Sequence, residues 1–269
     1  MVSFPPCKIN LGLNVIAKRS DGYHDIETCF YPLPWNDVLE IIPAKEMSFS
    51  SSGISIPGKH EDNLCLKAYD LLKKDFDLPP VSIHLHKVIP TGAGLGGGSS
   101  DAAYAFKLLN TIFDLQLSMA ALKEYASRLG SDCSFFIESK PMLGEGRGEL
   151  LHAIALDLRG YFLVLVNPDV HVSTAEAYAG VVPQLSFYNI KNVLEYTPMV
   201  EWKRIVKNDF EESVFIKYPL IREIKNALYS KGAIYASMSG SGSSVFGLFS
   251  YQLDLRNEFK RLTYWAGSL

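Results

Sequence analysis

The chain has 269 residues, of which 48% are hydrophobic, and a formal net charge of -3 with acids and bases mixed throughout. That content suffices for one large domain or two modest ones, and the charge argues against a broad nucleic-acid footprint. Apolar stretches such as Tyr161 to Val166 are far too short to span a membrane, and Met1 to Pro6 lacks the apolar core of a secretion signal. The expectation is a cytoplasmic protein with neither a nucleic-acid nor a membrane partner. Cys7, Cys29, Cys65 and Cys133 form no C-x-x-C pair and have no histidine cluster beside them, which predicts buried reduced thiols.

A first strand is predicted from about Cys7 to Ala17, where Ile9, Leu11, Leu13 and Val15 alternate with Lys8, Asn10, Gly12 and Asn14. Lys8 and Asn10 share the face opposite the apolar one. Asp21-Gly22 reads as a turn. Strands are expected around Asp37 to Pro43 and Val81 to Ile89, with a helix between them over Asn63 to Phe76. His84 and His86 share one face of the second strand, and a pair without a third ligand reads as surface sooner than metal. Ser118 to Leu129 reads as a helix capped by Ser118 and stopped by Gly130. Gly144-x-Gly146-x-Gly148 reads as a loop. From about Gly160 the pattern restarts: a strand over Tyr161 to Asn167, a helix over Pro219 to Lys231, a strand over Gly232 to Met238, a Gly/Ser loop over Ser239 to Ser244, a strand over Val245 to Phe249, and a closing helix over Leu253 to Trp265.

The most informative segment is Pro90-Thr91-Gly92-Ala93-Gly94-Leu95-Gly96-Gly97-Gly98-Ser99-Ser100, with five glycines in seven positions. It opens into Ala102, Ala103, Ala105, Phe106, Leu108, Leu109, Ile112 and Phe113, which have helical spacing. Glycines let a backbone approach a ligand closely and adopt positive φ. The free N–H groups and positive dipole end of a helix suit an anion. Loop plus helix N-terminus therefore reads as a phosphate cradle. Gly92, Gly94 and Gly97 formally match a dinucleotide fingerprint, but no acidic residue follows at the right distance, and no Lys-Ser/Thr follows to make a Walker A loop.

Three segments in order, Pro6-Cys7-Lys8-Ile9-Asn10-Leu11-Gly12 with Asp21-Gly22-Tyr23-His24, the glycine loop, and Met238-Ser239-Gly240-Ser241-Gly242-Ser243-Ser244, resemble the GHMP kinase superfamily over nearly the whole chain. The resemblance implies an α+β, two-domain fold. Residues 1–155 would form an ATP-binding domain like ribosomal protein S5 domain 2, and residues 156–269 a ferredoxin-like domain, with the active site in the cleft between them. It implies ATP as phosphoryl donor, Mg²⁺, and a small-molecule alcohol as acceptor. Lys-Ile-Asn-Leu with Asp-Gly-Tyr-His points to the branch whose substrate is a cytidine diphosphate derivative of methylerythritol, on the route to isoprenoids. Carried over by the same resemblance, Pro90, Gly92, Gly94, Leu95, Gly96, Gly97, Gly98, Ser99 and Ser100 would wrap the ATP phosphates, with Asn63 and Lys87 at the nucleoside. Asp132 and Lys8 match the catalytic aspartate and lysine. Tyr23 and His24 match residues that stack on and hydrogen-bond the cytosine, and Tyr178 lies where the family has a second aromatic. Asn10, Ser239 and Gly240 fall on the substrate side, and Ser100 is the one candidate metal ligand. Cys7 replaces a frequent Ala, and Cys133-Ser134 replaces an apolar residue and Pro, which leaves the local backbone path open.

The chemistry also stands on the residue types. Phosphoryl transfer needs alignment and charge stabilisation more than covalent help, and glycine-loop amides supply both. An alcohol must lose its proton, so a carboxylate within reach is a sensible acceptor. Taken alone, Asp132 serves equally as a helix cap and Lys8 as an exposed strand-edge lysine. Tyr23 and Tyr178 serve as half-buried packing, and the Ser239 to Ser244 loop as a plain hairpin. Two other readings stand beside the first: a homoserine or mevalonate type of kinase, for which Asp21-Gly22-Tyr23-His24 has no obvious task, and a catalytically silent nucleotide-binding module, against which the presence of both Lys8 and Asp132 speaks. Monomer and homodimer both remain open.

Overall fold

A computed structural model describes residues 1–269. The chain forms two compact units that interleave along the sequence: residues 1–8, 35–91 and 96–140, and residues 9–34, 92–95 and 141–269.

In the first unit a four-stranded sheet has the order β1 (Val2–Ser3), β4 (Val38–Pro43), β6 (Val81–Lys87), β5 (Ser48–Gly53). β4 and β6 are antiparallel with Ile41 opposite Ile83, and β5 runs parallel to β6. The period of two sends Leu39, Ile41, Val81, Ile83 and Leu85 into the core. His84 and His86 stand on the other face, where Ser50 and Ser52 hydrogen-bond to their rings. Helix α1 (Leu64–Lys73) starts at Asn63, whose side chain caps Cys65 N. Helix α2 (Gly97–Ile112) follows the glycine loop and buries Ala102, Ala103, Ala105, Phe106, Leu108 and Leu109, the apolar run read from the sequence. Ser118 caps α3 (Met119–Ser127) as expected, and α4 (Cys133–Glu138) is a short buried helix.

The second unit holds most of β2 (Pro6–Lys18) and β3 (His24–Asn36), joined by the turn at Asp21-Gly22, where Arg19 N donates to Tyr23 O. They continue into β7 (Met142–Glu145) and β8 (Leu150–Ala153). The Gly144-x-Gly146-x-Gly148 segment is thus a strand-turn-strand hairpin. Gly144 sits within β7 opposite Thr28, and Gly146 and Gly148 take positive φ in the turn. A second sheet, antiparallel throughout, has the order β10 (Tyr235–Met238), β11 (Val245–Phe249), β9 (Phe162–Asn167), β12 (Thr263–Ser268). Helices α8 (Glu211–Lys217) and α9 (Pro219–Ser230) contribute Val214, Phe215, Ile221, Ile224 and Leu228 to the core on this sheet. Helices α5 (Thr174–Ala179), α6 (Ile190–Tyr196) and α7 (Met199–Ile205) complete the unit.

The expected helix over Leu253 to Trp265 is not formed. Thr263 to Ser268 pairs with β9 along its whole length, and the residues before it are turns that sink Leu255 and Phe259 into the core. The four-residue spacing of those two side chains imitated a helix, while the β-prone Thr263-Tyr264-Trp265 took a sheet edge.

Gly12 is the one residue of β2 with a left-handed φ, +70°. A Cβ there would stand 2.5 Å from Ile190 Cδ1 and 2.9 Å from Val206 Cγ1. Gly12→Ala combines backbone strain with overpacking, so urea unfolding should show a loss of about 1–3 kcal/mol.

Candidate active site

β2 is buried on both faces from Pro6 to Val15, which overturns the reading of Lys8 as an exposed edge lysine. Lys8 is only 3% exposed. Its Nζ lies 3.5 Å from Asp132 Oδ2, and the Asp132 side chain keeps 32% of its surface open. Asp132 occupies the N-cap position of α4 yet makes no side-chain cap bond and has helical φ/ψ. The cap explanation for this aspartate therefore fails in this structure. Gly96 stands beside the same pair: with φ +69°, its added Cβ would meet the Phe136 ring at 2.9 Å and Lys8 Cε at 3.2 Å.

Gly96 is also where α2 begins, and Ser100 N donates back to Gly96 O. Gly92, Gly94 and Gly96 all adopt positive φ, the conformation that reserves these positions for glycine. Ser100 Oγ is buried and has no hydrogen-bond partner. Ser99 is the hydrogen-bond partner of the Cys133 thiol, which burial pushes up to about 12. All four cysteines are free and buried.

Lys87, at the end of β6, is 3% exposed. Its ammonium is bonded to Asp37 and, at 2.8 Å, to Asp101 Oδ2. Burial alone would pull the lysine down, but Asp101 and Asp37 outweigh it and the net direction is up. Burial, reinforced by the Asp37 charge and opposed by Lys87, lifts the Asp101 carboxyl to about 7. Asp37 Oδ1 accepts the backbone N–H groups of Val88 (2.6 Å) and Ile89 (2.9 Å). From the sequence, Asp37 marks only the start of a strand.

In the second unit, Asn10 Nδ2 donates to Thr28 Oγ1, Thr28 donates to Gly12 O, and Asn10 N donates to Ser239 Oγ. Ser239 Oγ donates in turn to Gly94 O, and Ser244 N to Ala93 O. A Cβ on Gly94 would collide with Ser239 O. Asn208, which periodicity alone could not single out, donates to both Met238 O and Gly240 O and so shapes the serine loop. His24 stacks on Tyr178 at 4.6 Å between ring centroids, and Tyr178 meets Phe210 edge-on. Tyr23 is 56% exposed, with the Arg147 guanidinium 5.0 Å from its ring centroid. No helix is long and apolar enough to cross a membrane.

Comparison with known proteins matches residues 63–140 to the GHMP kinases N-terminal domain and residues 190–264 to the GHMP kinases C-terminal domain. A 4-diphosphocytidyl-2-C-methyl-D-erythritol kinase of Cytophaga hutchinsonii is 56% identical over 251 residues, covering 93% of each chain. One of Bacteroides fragilis is 54% identical over 254 residues, covering 93% of this chain and 92% of the relative. A crystal structure of a 4-(cytidine 5'-diphospho)-2C-methyl-D-erythritol kinase superposes with a TM-score of 0.83 at 31% identity, over 100% of this chain and 98% of the other.

The raised Asp101 carboxyl couples stability to pH. With the folded-state value near 7 against an ordinary 3.8, the native state between about pH 4 and 7 holds a proton that the unfolded state has lost. Stability then falls as pH rises from about 4 to about 7 and levels off above. Without nucleotide or divalent metal, Asp101→Asn should flatten that part of the curve by up to about one proton in slope, measured by urea unfolding at each pH.

Proposed function

This chain belongs to the 4-diphosphocytidyl-2-C-methyl-D-erythritol kinases of the GHMP kinase family, and from that premise we propose which of its residues carry the reaction. The activity is transfer of the γ-phosphoryl group of ATP to the 2-hydroxyl of 4-diphosphocytidyl-2-C-methyl-D-erythritol, giving the 2-phosphate and ADP, a step toward isoprenoid precursors. The observation that carries the assignment of residues is the Lys8–Asp132 pair, buried on the lysine side and open on the carboxylate side.

The substrate hydroxyl meets Asp132, whose carboxylate accepts its proton as the alcohol oxygen bonds to the γ-phosphorus. The bond from that phosphorus to the β–γ bridging oxygen breaks, and ADP leaves with the electron pair. The Lys8 ammonium stabilises the charge that develops on the alcohol oxygen. The amides of the glycine loop from Gly92 and of the first turn of α2 hold the phosphates, where the helix dipole favours negative charge. Asn63, the cap of α1, is the residue we assign to the nucleoside; Lys87, expected there too, is sealed beneath Gly97 with its ammonium on Asp37 and Asp101, so its part is to support the loop.

The residues fit the Mg²⁺ that accompanies ATP. Ser100 Oγ is a buried, unpartnered oxygen in the first turn of α2, and Mg²⁺ takes oxygen donors, largely from phosphates. When bound, the ion offsets phosphate charge.

For the alcohol, the exposed Tyr23 ring offers a stacking face to the cytosine. His24, fixed by its stack on Tyr178, is suited to the polar edge of the base. We assign Asn10, Ser239 and Gly240 to the side of the remainder of the substrate; all three are buried, and the Asn10 N–Ser239 Oγ hydrogen bond ties the strand to the serine loop there.

Asp132→Asn keeps the shape and removes the proton acceptor. Steady-state turnover should fall by about two to four orders of magnitude with both KM values nearly unchanged; near-normal turnover in a folded variant would refute the role. Stacking of a base on an aromatic ring is worth about 1–3 kcal/mol, so Tyr23→Ala should raise KM for the cytidine substrate about tenfold or more and leave KM for ATP alone. An unchanged substrate KM would remove Tyr23 from the site.

A further inference from the structure

A loop of glycines carries no side chains with which to fix its own path. In this chain both ends of the loop lead back to one buried carboxylate. Asp37 is completely buried, and its own N–H donates to Pro5 O. Its Oδ1 takes two consecutive backbone N–H groups, from Val88 and Ile89, the residues that follow the last pair of β6. Those amides leave the sheet ladder there, and one oxygen collects both, which sets the direction in which the chain departs toward Pro90.

The other oxygen, Oδ2, binds the Lys87 ammonium, which also binds Asp101 Oδ2 in α2. The ammonium also underlies the start of that helix. A Cβ built on Gly97 would stand 3.2 Å from Lys87 Nζ and 3.1 Å from Ile89 Cγ2. One carboxylate thus holds the entry to the loop directly and its far end, at the start of α2, through a single lysine.

Buried ion clusters are weak as sources of stability, because desolvation consumes most of the Coulombic gain. Their distinctive property is direction: charge-assisted bonds fix the distance and angle of each donor, which apolar packing does not. A phosphate cradle needs that property, since its amides must be aimed before the anion arrives.

We propose that Asp37 is a positioning residue for the nucleotide: through Val88, Ile89, Lys87 and Asp101 it holds both ends of the glycine loop in the conformation that receives the phosphates. The proposal rests on the reading of that loop as the ATP phosphate site. Asp37 touches neither substrate nor reacting atoms, so its removal should act on nucleotide binding and not on the chemical step.

The test compares Asp37→Asn with wild type and two controls. Asn retains one oxygen for the two amides but turns an N–H₂ group toward Lys87 and breaks the link to α2. Its KM for ATP should rise about tenfold, with kcat and KM for the cytidine substrate within about twofold. Ile41→Val, a core change in the neighbouring strand, should lower the melting temperature without moving KM for ATP. Gly96→Val, which crowds the loop itself, should weaken binding of a non-hydrolysable ATP analogue measured by calorimetry. If Gly96→Val leaves analogue affinity unchanged, the phosphate reading of the loop fails and the proposal with it. If Gly96→Val weakens binding while Asp37→Asn keeps the wild-type KM for ATP, the proposal alone fails. Amide hydrogen exchange on the wild-type protein decides even where Asp37→Asn does not fold. Val88 and Ile89 should be protected before the analogue is added and gain little from it; fast exchange that becomes slow only on binding overturns the proposal.

Discussion

Glycine backbone can lie close to a phosphate only because it has nothing attached to it, and for the same reason it cannot hold itself in place. Two sets of buried contacts around residues 92–98 answer that constraint. Within the first unit the answer is ionic: Asp37, Lys87 and Asp101 form a buried cluster beneath the start of α2. Within the second unit, which takes in residues 92–95, the answer is made of hydroxyls and amides. Ser239 Oγ donates to Gly94 O and Ser244 N to Ala93 O. Asn208 then fixes the serine loop by donating to Met238 O and Gly240 O. Each partner is buried, and each would leave a costly unsatisfied polar group if the loop moved away.

How much of this could be read from the sequence depended on whether the signal was local. The loop-to-helix passage at Gly96 was legible because it needs consecutive glycines followed by an apolar run at helical spacing. β2 was legible from strict alternation, and Ser118 from the cap rule. Asp37 and Asn208 were not. Their hydrogen-bond partners lie about 50 and 30 positions away along the chain, and nothing at residues 37 or 208 announces them. The C-terminal segment misled for a different reason. Leu255 and Phe259 carry the right spacing for a helix, yet β9 offered an open edge, and ladder pairing over six residues from Thr263 to Ser268 outweighed local preference.

The departures from the family pattern at Cys7 and Cys133 also become intelligible. Both are fully buried and small, beside residues whose positions matter. Cys7 precedes Lys8 on a strand covered on both faces. Cys133 opens α4 directly after Asp132, its N–H donates to Gly130 O, and its thiol is paired with Ser99 near the start of α2. A thiol fills such sites as a small hydrophobe with a weak hydrogen bond to spare. Burial raises both thiols, which suits packing and not nucleophilic chemistry.

Two lysines of the first unit are equally buried, and they differ in whether their carboxylate partners are open. Lys87 is held by carboxylates that are themselves sealed, their side chains 0% and 3% exposed. Such a cluster has no route to a substrate, and its work is to keep backbone where it is. Lys8 is paired with Asp132, whose side chain is about a third open. A reacting hydroxyl can come only to a carboxylate that solvent can also reach, and it gains most where the adjacent cation is shielded from water, because the attraction is then least screened. One buried partner and one open partner suits the proton acceptance proposed for Asp132. Moving the exposure from Asp132 to Lys8 would leave the same ion pair without an open carboxylate for a hydroxyl to reach.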